Sequence, residues 1–234
     1  MKIKNPFRDL TIFEWILFLT SLSVVTLSYA LSSGGDLFNF LASLLGVTAL
    51  IFIAKGYVIG QILTIIFSTL YGYISFRYHY YGELITYLCM TAPMAVASLV
   101  SWIKHPYKDT EEVEVNKLTK KQWLLLPIFT CLVTFVMYFV LAYFGTENLL
   151  ISTISIATSF CAVYLTYYRS PFYAIGYCVN DIVLIILWTL ATIDDISYLP
   201  VVFCFVTFFA NDLYGFINWR RMEARQNTSS SNHN

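Results

Sequence analysis

The sequence predicts an all-α integral membrane protein with eight transmembrane helices. The chain of 234 residues is 58% hydrophobic and only 12% charged, about half the charge of an average soluble domain. Eight apolar runs each approach the roughly 20 residues that a helix needs to cross a bilayer. Lysine and arginine are concentrated in every second break between these runs, as expected when the breaks alternate between the two sides of a membrane.

The predicted helices cover residues 10–31, 37–54, 58–76, 84–103, 123–144, 149–168, 172–193 and 198–219. Most breaks are short and rich in turn-forming residues, such as "SSGGD" after the first helix and "RSP" after the sixth. The first run exceeds the 7–15 apolar residues of a signal peptide, so we expect a retained helix, although "SYA" at 28–30 leaves cleavage as an alternative.

The basic residues predict how the helices are oriented. If the N-terminus is cytoplasmic, 13 of the 14 lysines and arginines lie on the inner side, and only Arg77 lies outside. This bias supports an even number of helices, with both termini in the cytoplasm.

Two groups of three helices resemble each other, which predicts an internal repeat. Trp102 and Trp219 each stand at the inner end of the third helix of a group, and Lys55 pairs with Arg169 in the turn after the first helix. The predicted plan is 1+3+1+3, with two parallel three-helix bundles joined by a linker helix that lets both enter the membrane in the same direction. Its parts are an extra helix (1–31), the first bundle (37–104), a cytoplasmic loop (105–122), the linker helix (123–144), the second bundle (149–219) and a disordered tail (220–234).

Two aspartates lie deep in the predicted membrane region. At 1.5 Å per residue, Asp181 lies about 15 Å from the inner end of the seventh helix, and Asp212 lies about 10–12 Å deep in the eighth. The two could share one cavity. Since the sequence has no lysine or arginine at comparable depth, Asp181 must be protonated, hydrogen-bonded to amide and phenol donors, or completed by a cationic ligand.

Polar faces of the third, fourth, seventh and eighth helices are expected to converge on this cavity. Hydroxyls, amides, aromatic rings and carboxylates suit a planar, hydroxyl-bearing substrate that is neutral or cationic, whereas a phosphate would favour Arg or Lys. We interpret the serines of the sixth helix, Ser152, Ser155 and Ser159, as interhelical contacts. The candidate substrate-binding residues are Gln61, Thr64, Ser68, Tyr87, Thr91, Tyr173, Tyr177, Asn180, Asp181, Trp188, Asn211, Asp212 and Tyr214.

The sequence contains no zinc-protease, nucleophile-elbow or nucleotide-binding pattern, and its five cysteines are scattered through apolar runs. We therefore expect no catalytic residues, no metal, no cofactor and no nucleic-acid partner. The two deep aspartates could mimic an aspartyl protease, but the aromatic and amide lining disfavours an intramembrane hydrolase. A receptor without transport activity is the other disfavoured alternative.

Two segments, "SPFYAIGYCVNDIVLIILW" at 170–188 and "FFANDLYGFINW" at 208–219, resemble the PnuC family of bacterial vitamin transporters. The resemblance implies a duplicated, SWEET-like fold in the bacterial cell membrane. It also implies uptake of nicotinamide riboside by facilitated diffusion with alternating access. A cytoplasmic kinase would then trap the product for NAD synthesis.

The same resemblance leaves thiamine, riboflavin or (deoxy)nucleosides as alternative substrates, and it leaves a homo-oligomer open. The sequence departs from the family pattern in the first bundle, which ends in "APMAVASLVSW" at 92–102 and lacks the Asn-x-x-Tyr-Gly of the second.

Overall fold

The fold is entirely helical. The structure is a computed structural model that describes residues 5–31, 37–77, 81–108, 110–146, 148–194, 196 and 199–231. A short 3-10 helix, Pro6–Asp9, precedes nine α-helical segments. They are α1 (Ile12–Leu31), α2 (Leu37–Ala54), α3 (Val58–Arg77), α4 (Tyr81–Ile85), α5 (Ala92–Lys104), α6 (Lys120–Tyr143), α7 (Leu149–Tyr167), α8 (Tyr173–Asp194) and α9 (Leu199–Ser231).

Seven helical stretches of the described chain are long and apolar enough to cross a membrane, and α2 supplies a shorter apolar helix over Phe40–Ala54. Each of the eight predicted helices therefore corresponds to helix in the structure. The prediction of an all-α membrane protein is confirmed.

The fourth predicted helix contains an irregularity that the sequence did not indicate. Between α4 and α5, Thr86–Thr91 forms a π-helix, and Pro93 follows in the first turn of α5. Proline lacks an N–H and crowds the preceding turn, which accounts for the wider turn at this point. π-Helical turns inside α-helices occur frequently at functional sites.

The structure differs from the predicted disordered tail. Helix α9 continues past Trp219 to Ser231, because Met222 and Gln226 are buried. The Gln226 amide accepts a hydrogen bond from the Val115 backbone (2.8 Å) and donates one to the Val113 carbonyl (3.1 Å). Residues 232–234 lie outside the described part of the chain.

The loop between α5 and α6 is folded against the helix ends. Helix α6 begins at Lys120, earlier than predicted, because Thr119 and Gln122 form a capping box. The Val113 N–H donates to the Gly56 carbonyl (2.9 Å), and the Asn116 N–H donates to the Arg169 carbonyl (3.0 Å). This loop therefore joins the turn after α2, the turn after α7 and the end of α9 into one surface, which we call the basic end.

The turns after α2 and after α7 have the same hydrogen bonds. The Gly56 N–H bonds the Ile53 carbonyl (2.9 Å), and the Arg169 N–H bonds the Thr166 carbonyl (3.0 Å). Gly56 and Arg169 both have a positive φ, 70° and 56°. Arg169 thus corresponds to Gly56 rather than to Lys55, which corrects the predicted pairing by one residue.

Two buried tryptophans link the two groups of helices at the basic end. The Trp102 indole donates to the Thr166 carbonyl at the end of α7 (3.0 Å), and the Trp219 indole donates to the Ile53 carbonyl at the end of α2 (2.9 Å). Their ring centroids are 5.5 Å apart. Each of these carbonyls therefore accepts two hydrogen bonds, one from the N–H of its own turn and one from a tryptophan of the other group.

Candidate functional site

The central feature of the interior is a pair of buried carboxyl groups. Asp181 on α8 is 3% exposed and Asp212 on α9 is 4% exposed. The two side chains are hydrogen-bonded to each other. A hydrogen bond between two carboxyl groups requires at least one proton on the pair, so the pair can carry at most one negative charge.

This charge has no basic partner among the residues that the structure describes. The three ion pairs found there join Lys55 to Glu14 and two arginines to glutamates, and none includes Asp181 or Asp212. The Oδ2 atom of Asp181 is buried without a hydrogen-bond partner. Since buried polar atoms are nearly always satisfied, this oxygen is available to a ligand or to water.

Two tyrosines of α8 lie next to the carboxyl pair. Tyr173 and Tyr177 have ring centroids 6.1 Å apart, and both interact electrostatically with Asp212. The Tyr177 hydroxyl is hydrogen-bonded to the Thr166 side chain, whereas the buried Tyr173 hydroxyl has no partner among the described residues. These rings provide aromatic surface beside two carboxyl groups, an arrangement that suits a flat cation.

The glycine at 215 makes room for one of these tyrosines. A Cβ atom added to Gly215 would lie 2.9 Å from the Tyr173 hydroxyl oxygen. A close approach of α8 and α9 at this point therefore depends on the absence of a side chain.

Asn180 faces a different helix from its neighbour Asp181. Its Oδ1 atom accepts hydrogen bonds from Ser155 (3.2 Å), Thr158 (2.8 Å) and Ser159 (3.0 Å) of α7. Consecutive residues on a helix point about 100° apart, so Asp181 faces α9 while Asn180 faces α7. The structure thus places Asn180 in an interhelical contact and does not bring it together with the carboxyl pair.

Asn211 and Tyr214 of α9 are directed towards α1. The Asn211 amide donates to Ser21 (2.9 Å), and its Oδ1 has no partner in the described structure. The Tyr214 hydroxyl donates to Glu14 (2.5 Å), which also binds the Lys55 ammonium (3.0 Å). These two predicted site residues therefore attach the first helix to α9.

A stripe of buried polar residues follows α3. Gln61, Ser68 and Ser75 are spaced seven residues apart and are 2%, 0% and 1% exposed. The Gln61 Nε2 and both serine hydroxyls lack hydrogen-bond partners in the described chain. A spacing of seven keeps them on one helix face, so α3 presents a polar track of unsatisfied groups about 20 Å long.

The remaining candidate residues have other surroundings. Thr64 and Thr91 donate to backbone carbonyls of their own helices (2.9 Å and 3.3 Å). In the π-helix, Tyr87 packs in an aromatic cluster with Phe67 and Tyr71, at centroid distances of 5.8 and 4.5 Å. Trp188 is half-buried on α8, about 10 Å along the helix from Asp181.

Buried side-chain atoms without partners are concentrated in three helices. Seven such atoms occur among the described residues, and all but Thr134 Oγ1 lie on α3, α8 or α9. They are Gln61 Nε2, Ser68 Oγ, Ser75 Oγ, Tyr173 OH, Asp181 Oδ2 and Asn211 Oδ1. Both donors and acceptors are present, which suits a ligand that carries hydroxyl and amide groups.

The cluster around Glu14 was not predicted. Glu14 is 1% exposed and binds Lys55, Tyr214 and the Thr11 N–H. The sequence offered one signal for this cluster. Glu14 is an acidic residue at the start of an apolar run, and Lys55 is a basic residue at the end of another. Sequence spacing alone could not show that they meet, because 41 residues separate them.

The fold and the site can be compared with known proteins. The profile of a family described as nicotinamide mononucleotide transporter matches residues 36–221. The match spans most of the chain, including the carboxyl pair and the two buried tryptophans, Trp102 and Trp219. The chain belongs to this transporter family.

Two relatives agree with this membership of the nicotinamide mononucleotide transporter family. The chain is 28% identical over 189 residues to the nicotinamide riboside transporter PnuC of Neisseria mucosa, a match covering 79% of this chain and 72% of the relative. It also resembles the crystal structure of the vitamin B3 transporter PnuC, with a TM-score of 0.79 and 25% identity, over 93% of this chain and 94% of that one.

Family membership and the apolar helices together identify a multi-pass membrane transporter. The predicted resemblance to the PnuC family is confirmed. The members of this family are carriers of small molecules rather than enzymes, in agreement with the prediction from the sequence.

Proposed function

We propose that this protein takes up nicotinamide riboside by facilitated diffusion. The observation that carries the proposal is the buried Asp181–Asp212 pair, which can become negatively charged when a cation binds and has no basic partner among the described residues. Nicotinamide riboside has a pyridinium ring, a carboxamide and a ribose. Its positive charge suits the carboxyl pair, its ring suits Tyr173 and Tyr177, and its hydroxyls suit the unsatisfied polar atoms.

The charge distribution favours the riboside over the mononucleotide that gives the family its description. A phosphate is usually bound by arginine, lysine or a helix N-terminus. The described lysines and arginines all lie in loops, at helix ends or beyond Trp219 in α9. Moving a phosphate past the carboxyl pair would also add charge repulsion.

The same site suits other flat cations to some degree. Thiamine is also a cation, so it is the closest alternative substrate, while riboflavin and (deoxy)nucleosides lack the charge. In the proposed function, the carboxyl pair makes the site bind the cationic ligands more tightly than the uncharged ones.

For the mechanism we propose alternating access between two parallel three-helix bundles in the 1+3+1+3 plan. The bundles would be α2, α3 and α4–α5, and α7, α8 and α9, with α1 as the extra helix and α6 as the linker. The matching turns and the reciprocal tryptophan contacts support this plan. Rocking of one bundle against the other would expose the site to either side in turn.

The basic end would face the cytoplasm, with both termini on that side. Facilitated diffusion requires only a concentration gradient, which a cytoplasmic kinase would maintain by phosphorylating the riboside for NAD synthesis. A homo-oligomer is compatible with this scheme and is not needed for it.

A calorimetric binding series tests the proposal. Purified protein would be titrated with nicotinamide riboside, nicotinamide mononucleotide, thiamine, riboflavin and an uncharged nucleoside. We expect the riboside to bind most tightly. The double variant Asp181→Asn/Asp212→Asn should weaken its binding by about thirtyfold or more, because truncating a buried charged contact costs at least about 2 kcal/mol.

Each single variant should have a smaller effect than the double variant, since one carboxylate then remains to carry the charge. Glu111→Gln is the matched control, because it removes a carboxylate from the loop between α5 and α6, outside the bundle. Tighter binding of the mononucleotide or of an uncharged nucleoside would contradict the proposal.

A further inference from the structure

We propose that an anionic phospholipid binds in a groove between α6, α7 and α8, with its headgroup at the basic end. The groove has a volume of about 360 Å³. Its walls are apolar and include Trp123, Leu165 and Ile175, and Ala157 and Gly176 leave space in it because they have a small side chain or none. Trp123, Ile175 and Val179 are exposed on this face, so the groove opens towards the membrane.

A second, more polar cavity of about 220 Å³ continues the groove at the basic end. It is lined by Asn116, Lys117 and Ser170 and by one acidic residue, Glu223. Glu223 is paired with Arg220, which offsets its negative charge. The Asn116 amide already donates to the Tyr168 carbonyl (3.1 Å), so the cavity offers the Lys117 ammonium and the Ser170 hydroxyl to an incoming anion.

The two cavities share a wall. Trp123 and Phe172 line both, and their ring centroids are 5.9 Å apart. Tryptophan prefers the level of the lipid headgroups, so this shared wall marks the boundary between an apolar slot for an acyl chain and a polar slot for a headgroup.

The charge near the polar cavity selects the headgroup. Lys117, Lys120 and Lys121 are exposed within five residues of sequence. Basic residues close to a membrane attract anionic lipids. A phosphatidylglycerol-type phosphate would therefore be favoured over the zwitterionic phosphatidylcholine.

The groove adjoins α8, the helix that carries Asp181. Thr158 lines the groove and donates a hydrogen bond to Asn180 (2.8 Å). A lipid in the groove would thus lie against the outer side of the α7–α8 interface, close to Asn180.

Native mass spectrometry tests the lipid site directly. The purified full-length protein would be offered equal amounts of phosphatidylglycerol and phosphatidylcholine. We expect each chain to retain one phosphatidylglycerol in preference to phosphatidylcholine. Lys117→Gln should reduce this preference about fivefold, because one basic residue near the surface contributes that much, and Ala157→Phe, which fills the groove, should abolish the retention.

Matched controls are Lys104→Gln, at the end of α5, and Ala210→Phe, which adds the same ring to an exposed position on α9. Lys117→Gln changes an exposed side chain, so it tests the headgroup site even if Ala157→Phe fails to fold. Equal retention of both lipids by the unaltered protein would overturn the proposal. It would also be overturned if Lys117→Gln retained lipid like the unaltered protein, or if Ala157→Phe changed only the oligomeric state, which would assign the groove to a second copy of the chain.

Discussion

Asn180 and Asp181 show how neighbouring polar residues can have different tasks. Asp181 is hydrogen-bonded to Asp212, whereas three hydroxyls of α7 surround the Asn180 oxygen. Interhelical polar contacts in membrane proteins contribute about 0.6 kcal/mol each. The structure therefore favours a role for Asn180 in holding α7 to α8, and a role for Asp181 in the interior site.

Substitution of Gly215 by alanine tests the position of Tyr173. The added methyl group would lie 2.9 Å from the Tyr173 hydroxyl, closer than an ordinary contact, so the ring must move. Within the proposed function, we expect Gly215→Ala to weaken riboside binding by about tenfold, equivalent to about 1.4 kcal/mol, as measured by calorimetry.

Gly46→Ala is the matched control for this prediction. A Cβ atom at 46 would lie 3.4 Å from the Phe67 ring, which is an ordinary contact, so binding should stay close to that of the unaltered protein. If both substitutions weakened riboside binding equally, the space beside Gly215 would have no special role in binding.

At the basic end, reciprocal hydrogen bonds from two tryptophans join four helices. Trp102 and Trp219 are fully buried, and each donates its single N–H to a carbonyl of the other helix group. Trp219→Phe retains most of the ring packing but removes the indole hydrogen bond, which leaves the Ile53 carbonyl with the Gly56 N–H alone. The loss of one hydrogen bond costs about 0.5–1.5 kcal/mol, so we expect a lower midpoint of thermal unfolding in detergent.

Trp15→Phe provides the comparison for the tryptophan prediction. Trp15 lies on α1 with 37% exposure, and its replacement should shift the unfolding midpoint much less. If the two substitutions shift the midpoint equally, the indole hydrogen bond at Ile53 does not stabilise this end of the molecule.

At the scale of the whole molecule, the sequence predicts the helices better than their contacts. Long apolar runs and short polar breaks define all eight helical regions, since a bilayer demands a fixed length and polarity. Counting residues along the helices also predicts that Asp181 and Asp212 could share one interior site, and in the structure both are buried and hydrogen-bonded to each other.

Contacts between distant segments could not be predicted in the same way. Glu14 meets Lys55 and Tyr214 across separations of 41 and 200 residues. Helix α9 extends to Ser231 because Gln226 finds partners at Val113 and Val115 in the loop. Local composition describes neither contact, because each depends on how the helices are arranged in space.

In the proposed function, the protein is a carrier that moves nicotinamide riboside without an energy source. The protein would be reconstituted into liposomes loaded with unlabelled nicotinamide riboside, and labelled riboside would be added outside without any ion gradient. We predict transient accumulation of label by exchange. It should be insensitive to a protonophore, retained by Glu111→Gln and abolished by Asp181→Asn/Asp212→Asn. No accumulation, accumulation only with a proton or sodium gradient, or equal exchange of nicotinamide mononucleotide would contradict the account.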